Sequence, residues 1–284
     1  MTGAVRKVWN EGAILGEGPV WVAKENALYW VDIKAPALHR LPLDGAERRS
    51  WPLPELTGWI VPRRAGGFVI GQASGPALLT LDPFTIEPLG DPHPEQEDSR
   101  LNDAVVSADG SIWFGTMDNA EEDAFGGLYR LAPDRRIERV DSGYLVPNGP
   151  AISADGTTLF HTHSPERTVY AFDLEGGTLA NKRVHIRFEE EWGYPDGMAA
   201  DAEGGLWITH WDGACVSRFD ARGRRDRRIE LPVRKPTKPV FAGDALDRMF
   251  VTSASVGEPA GSLGGAVFEV DAGVRGAPMH EYSG

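Results

Sequence analysis

One stretch of grammar returns six times along this chain. Counted from Glu17 through Thr57, Asn102, Asn148, Asp196 and Lys238, it recurs at intervals of 40, 45, 46, 48 and 42 residues. Nothing else in the sequence constrains the fold as tightly, because a period of roughly 40–50 residues is the length of one four-stranded β-propeller blade. Behind each anchor come a short apolar strand, a turn often spelled Asp-Gly, a second apolar strand and a third. Second strands read ALYWVDI (27–33), GFVIGQ (67–72), SIWFGTM (111–117), TLFHTHS (158–164), GLWITHW (205–211) and RMFVTSA (248–254). Third strands such as GLYRLAPD and AVFEVDAG each close on a turn. Six such units predict an all-β fold, a six-bladed β-propeller occupying residues 1–284 as a single domain.

Blades pack face to face, so aromatic and β-branched residues belong in their strands. Trp30, Trp113 and Trp207, inside second strands, are therefore expected in the core rather than against a ligand. Ring closure needs a strand for the last blade's edge, and AVRKVW (4–9) is the candidate. The 34 glycines and 21 prolines fit a chain of many turns and argue against long helices.

Charge and sulfur narrow the partners. A net charge of −13 disfavours nucleic acid and anionic membrane surfaces. The single cysteine, Cys215, can form neither an internal disulfide nor a thiolate metal cluster, and its strand setting predicts inert packing. The N-terminal stretch has no signal-peptide core and no segment reaches the roughly 20 apolar residues of a membrane helix. A soluble, cytoplasmic, monomeric protein is expected.

In a propeller the first strand of each blade lies nearest the axis, so equivalent positions at its end converge across the channel. Glu17, Asn102, Asn148 and Asp196 would then line one small volume, while Thr57 and Lys238 break the pattern on the other two blades. Two carboxylates and two amides could simply cap the channel and hold water. A divalent cation answers both the repulsion of the carboxylates and the unpaired amides, and oxygen donors suit Ca²⁺, Mg²⁺, Mn²⁺ or Fe²⁺. Ligand type alone does not choose among them. The expectation is one divalent metal ion in the central channel.

At these residues the chain resembles the SMP-30/gluconolactonase/LRE-like family, also called the regucalcin family, over nearly its full length. LGEGPVW (15–21), SRLNDAVVSADGSIWFGTMD (99–118), VPNGPAISADG (146–156), YPDGMAADAEGGLWITHW (194–211) and TKPVFAG (237–243) follow the family's order, and the bacterial sugar-lactonase branch is the most similar. The resemblance implies metal ligation by Glu17, Asn148 and Asp196, with Ca²⁺, Fe(II), Zn²⁺, Mn²⁺ or Mg²⁺ all admissible. It also implies that Arg100 and Asn102 hold sugar hydroxyls, with a further contact from Glu121 or Glu122; Glu121 is the choice made here. Two departures stand out: HTHS places His163 where many relatives carry an aspartate, and TKPVFAG lacks the second glycine of the usual pattern. A lone histidine at a strand end reads as a structural group before a substrate contact.

What the resemblance implies chemically is hydrolysis of a sugar lactone, a small neutral substrate, to an aldonic acid. No Gly-x-Ser-x-Gly elbow is present, so a metal acting on the lactone carbonyl with Asp196 as general base is the expected mechanism. Xylono-, arabinono-, galactono- and gluconolactone are all admissible. Two alternatives remain: another metal-dependent hydrolase, acting on phosphotriesters or non-sugar lactones, and a non-enzymatic calcium-binding propeller.

Overall fold

A computed structural model describes residues 5–96 and 98–284. Six four-stranded antiparallel sheets are arranged around a central channel. Blade one contains Gly16–Val22, Ala27–Asp32, Ala37–Pro42 and Arg49–Pro52, and blade two contains Thr57–Pro62, Phe68–Gln72, Gly75–Leu81 and Phe84–Pro88. Blade three follows with Ser99–Val106, Ile112–Asp118, Gly126–Leu131 and Ile137–Tyr144. Blade four comprises Pro147–Ile152, Thr158–His163, Thr168–Glu175 and Thr178–Arg187, and blade five Tyr194–Ala200, Leu206–Trp211, Cys215–Phe219 and Arg225–Glu230. The six-bladed propeller expected from the repeat is the observed architecture.

Blade six is built from both ends of the described chain. Its strands Pro236–Ala242, Arg248–Ser253 and Ala266–Val270 are completed by Val5–Asn10, which pairs antiparallel with Ala266–Val270. The expected closing strand is therefore present but runs on to Asn10, and its first residue, Ala4, lies outside the described residues. Such pairing hides the unpaired backbone edge that an open last blade would present.

Each of the six blade interfaces encloses its own apolar cluster. Between blades one and two, for example, Tyr29, Val31 and Leu38 meet Ile60, Phe68 and Ile70. Trp30 is closed off between blades six and one, Trp113 between three and four, and Trp207 between five and six. Fully burying one such side chain contributes roughly 1.5–3 kcal/mol, so the ring is held by many moderate contacts rather than by one central core. Cys215 is buried on blade five and makes no disulfide, as expected of a packing residue.

The innermost strands contact one another around the ring, which is what brings remote sequence positions together. After the last blade the chain crosses one end of the channel. Ala277 N donates to Ala200 O on blade five, and Tyr282 N donates to Pro62 O on blade two. Met279 and His280 cover a cavity of about 300 Å³, lined by the downstream halves of the inner strands. No helix among the described residues is long and apolar enough to cross a membrane.

Candidate active site

The opposite end of the channel is polar. A cavity of about 280 Å³ there is lined by Glu17, Arg100, Asn102, Glu121, Asn148 and Asp196, among others. Every inner strand shifts register against its second strand near the channel, on blade two by the single residue Gly58 and on the other five by a bulge in which two residues oppose one. On blade one Gly18 and Pro19 oppose Trp30; on blade three Asn102 and Asp103 oppose Gly115; on blade four Gly149 and Pro150 oppose His161. Blades five and six repeat it with Asp196 and Gly197, and with Thr237 and Lys238. The sequence repeat is thus offset by a residue: Glu17 and Asn148 precede their bulges, Asn102 and Asp196 open theirs, and Lys238 closes its own. A bulge re-aims side chains that strict alternation would send to the blade interface.

Hydrogen bonds hold these groups in fixed orientations. Gly18 N donates to Glu17 Oε2 at 2.8 Å. Asn148 Nδ2 donates to Ser164 Oγ at 3.0 Å, and that hydroxyl donates to Pro195 O at 2.6 Å. With its nitrogen tied to blade four's own loop, Asn148 turns its Oδ1 inward, where it accepts Asn102 Nδ2 at 2.7 Å. Arg100 donates from Nη1 to Asn102 Oδ1 at 2.6 Å, while its buried Nε has no protein partner.

Charge is concentrated here out of water. Burial, followed by the charge of Asp103, pushes Glu17 up to about 8 against the counter-pull of Lys238 and Arg100. Asp196 is driven well above the usual carboxylate range by burial, then by Glu17 and Asp103. Arg100 is pulled down by burial despite Glu121, Glu17 and Asp196 nearby. Beneath these groups Lys238 forms a buried ion pair with Asp103 and also donates to Ala104 O at 3.0 Å. Burial and mutual repulsion thus outweigh the pull of Lys238 on both carboxyls, and a dication placed between them would offset that cost. Among the described residues no three His, Cys, Asp or Glu side chains form a ligating group. A metal here would rest on two carboxylates with the Asn148 amide as third oxygen donor, a set that suits a hard or borderline dication.

The mouth is shaped by the loop after Ile112–Asp118. Asp118 accepts the N–H groups of Ala120, Glu122 and Asp123 at 2.9–3.0 Å, which curls the loop and leaves Glu121 in the left-handed region at φ 61°. Glu121 lines the cavity and Glu122 does not. Lys34 reaches over from blade one to Asn119 Oδ1 at 2.8 Å, tying the loop down.

Other expectations resolve plainly. His163 is buried outside the cavity wall, where its Nε2 accepts Leu145 N at 3.1 Å and its Nδ1 lies 3.3 Å from Glu166 Oε2. Thr57 donates to Glu55 O and is likewise absent from the wall. Four residues escaped the sequence reading: Asp103, Ser164, Tyr194 and Trp211. The signal for Asp103 was its place beside Asn102; Tyr194 and Trp211 carry no such local cue.

A family model described as the SMP-30/Gluconolactonase/LRE-like region matches residues 15–255. A pentonolactonase of Haloferax volcanii is 32% identical over 96% of both chains. A 6-deoxy-6-sulfogluconolactonase of Pseudomonas putida is 32% identical over the full length of both. Among solved structures, a luciferin-regenerating enzyme superposes with a TM-score of 0.93 at 26% identity, covering 99% of each chain.

Proposed function

The chain belongs to the SMP-30/gluconolactonase/LRE-like family, and from that premise we propose that it is a metal-dependent lactonase, hydrolysing sugar lactones to aldonic acids. The observation that carries the reading is the convergence of Glu17, Asn148 and Asp196 with Arg100 and Asn102 on one cavity. The lactonase names of the two relatives support the same substrate class. We further take the protein as a cytoplasmic monomer.

Glu17, Asn148 and Asp196 would hold one divalent ion, which when bound supplies Lewis-acid polarisation of the lactone carbonyl and neutralises the two carboxylates. Arg100 and Asn102 orient the substrate through its hydroxyls, the guanidinium fork of Arg100 offering several donors. Glu121, held in place by its curled loop, offers a hydroxyl acceptor at the mouth.

Proton movement falls to Asp196. As water oxygen adds to the carbonyl carbon, a carboxylate oxygen of Asp196 takes the water's proton. When the ring C–O bond breaks, the same carboxyl returns that proton to the departing alkoxide, and the product leaves as the open hydroxy acid. With one carboxylate oxygen facing the ion and the other facing the water, Asp196 can serve both halves of this exchange.

The deciding experiment is proton release from a panel of pentono- and hexonolactones, with chelator-stripped protein to which Ca²⁺, Fe²⁺, Zn²⁺, Mn²⁺ or Mg²⁺ is restored. Turnover that requires one of these ions is expected. Turnover undiminished after stripping would refute the metal dependence, and silence across the panel with metal bound would refute the lactonase.

A further inference from the structure

Tyr194 and Trp211 have no part in the chemistry above, yet both line the same cavity. They are a cross-strand pair on blade five and stay half-buried, whereas Trp30, Trp113 and Trp207 are sealed between blades. Each ring carries a cation over one face. The Arg167 guanidinium carbon lies 4.3 Å from the Tyr194 centroid, and Lys235 Nζ lies 4.8 Å from that of Trp211. Neither cation belongs to the cavity wall, so both brace the rings from outside it and leave aromatic surface to the interior.

The hydroxyl-binding groups stand elsewhere. Arg100, Asn102 and Glu121 all come from blade three, two blades round the ring. The cavity therefore carries its aromatic surface on blade five, beside Asp196, and its candidate hydroxyl-binding groups on blade three. A sugar lactone is amphipathic in a matching way: hydroxyls project from the ring, while C–H bonds gathered on one face form a patch that water solvates poorly. Aromatic faces carry negative quadrupole density and attract such polarised hydrogens.

We propose that Tyr194 and Trp211 form an aromatic platform for the C–H face of the lactone ring, and that it selects lactones presenting one uninterrupted C–H face. The proposal rests on the lactonase reading and names the substrate class within it. An epimer that turns a hydroxyl onto this face must strip that group of water against an aromatic surface that cannot repay the bond, and binds more weakly. Discrimination among aldonolactones then comes from stereochemistry at the ring carbons on blade five's side, not only from hydroxyls read by Arg100 and Asn102.

The test uses the full-length, metal-loaded protein and a non-hydrolysable pentonolactam as binding probe, alongside kinetics on a series of epimeric lactones. Calorimetry should show the lactam binding about tenfold more weakly to Trp211→Ala, and within about threefold of wild type to Trp211→Phe. Trp211→Leu, which keeps apolar bulk without the π-face, should behave as the alanine variant and guards against a loss caused by an emptied site. In kinetics the loss should appear in KM with kcat preserved, and the spread of kcat/KM across epimers should narrow. Metal affinity, measured by chelator competition, should not move. Lactam binding by Trp211→Leu equal to wild type would overturn the platform while leaving the lactonase standing. Lactam binding that depends on Trp211, in a protein that hydrolyses no lactone, would support the platform and sink the lactonase instead.

Discussion

Asn102 donates its side-chain amide to Asn148 Oδ1 across 2.7 Å, and receives Arg100 on its own Oδ1 at 2.6 Å. The pair proposed to hold the sugar is thereby joined to a proposed metal ligand in one chain of polar contacts. Asn148 Oδ1 has two acceptor sites, one taken by Asn102 and the other left for the channel. Asn102→Ala should therefore weaken metal as well as sugar. Loss of a bond that orients a ligand typically costs about 10–100-fold in metal affinity, and chelator competition on the folded variant would show it. An Asn102→Ala variant with wild-type metal affinity and impaired KM would limit Asn102 to the substrate.

The ion pair of Lys238 with Asp103 sits beneath Glu17 and Asp196, both of which feel the Asp103 charge. Lys238→Met would leave three buried carboxyls with Arg100 as the nearest compensating cation. Removing one partner of a buried pair costs about 3–5 kcal/mol, so the metal-free variant should unfold at markedly lower denaturant. Adding Asp103→Asn should recover a large part of that loss. Additive effects in this double-mutant cycle would show that the two groups are not coupled.

How much of this was legible in the sequence follows from where burial is two-sided. Inner and second strands lie between blades, so runs such as IWFGTMD and LWITHW stand out as apolar. Outer strands do not: Arg225–Glu230 reads RDRRIE and buries only Ile229, which leaves no pattern to find. The anchors pointed to one end of the channel, and the residues drawn from them share one cavity. The one-residue offset between Glu17 and Asp196 was hidden, because a bulge is a backbone event with no single residue type attached. Lys238 breaks the repeat with no local explanation, since its partner Asp103 is 135 positions away in sequence. Tyr194 and Trp211 were masked by composition: in a chain whose tryptophans mostly pack between blades, no local cue marks the ring left at the cavity wall.

Acid should destabilise the protein through its buried histidines, and His210 allows a clean test. Its Nδ1 donates to Trp192 O at 2.9 Å, and burial holds the ring down at about 4. The unfolded chain takes up a proton near 6.5, the folded one only near 4. Stability attached to neutral His210 is thus present above pH 6.5 and lost as pH falls towards 4, in total about 3 kcal/mol. The stability difference between wild type and His210→Phe should be flat above pH 7 and shift in favour of the variant on acidification. Urea titrations from pH 7.5 to 4.5 would measure it, and a pH-independent difference would contradict the assignment.

Packing between blades should reach the site through Gly58. A β-carbon built on this residue of blade two's inner strand would lie 2.4 Å from Leu101 O and 2.6 Å from Asn102 O. Those oxygens belong to the backbone of blade three and cannot swing aside, so Gly58→Ala must push the two inner strands apart. The shift falls on the segment that carries Arg100 and Asn102 and, through Asn102, on Asn148. Overpacking of this kind costs about 1–3 kcal/mol, roughly 2–12 °C in Tm for a chain of this size. Activity should fall further than stability alone explains, because the fraction folded at 25 °C stays near one while the proposed hydroxyl-binding pair is displaced. Circular dichroism melts and lactone kinetics on the same preparation would separate the two effects. A Gly58→Ala variant with lowered Tm but wild-type kcat/KM would mean that the strain relaxes away from the channel, into the outer strands of blade two.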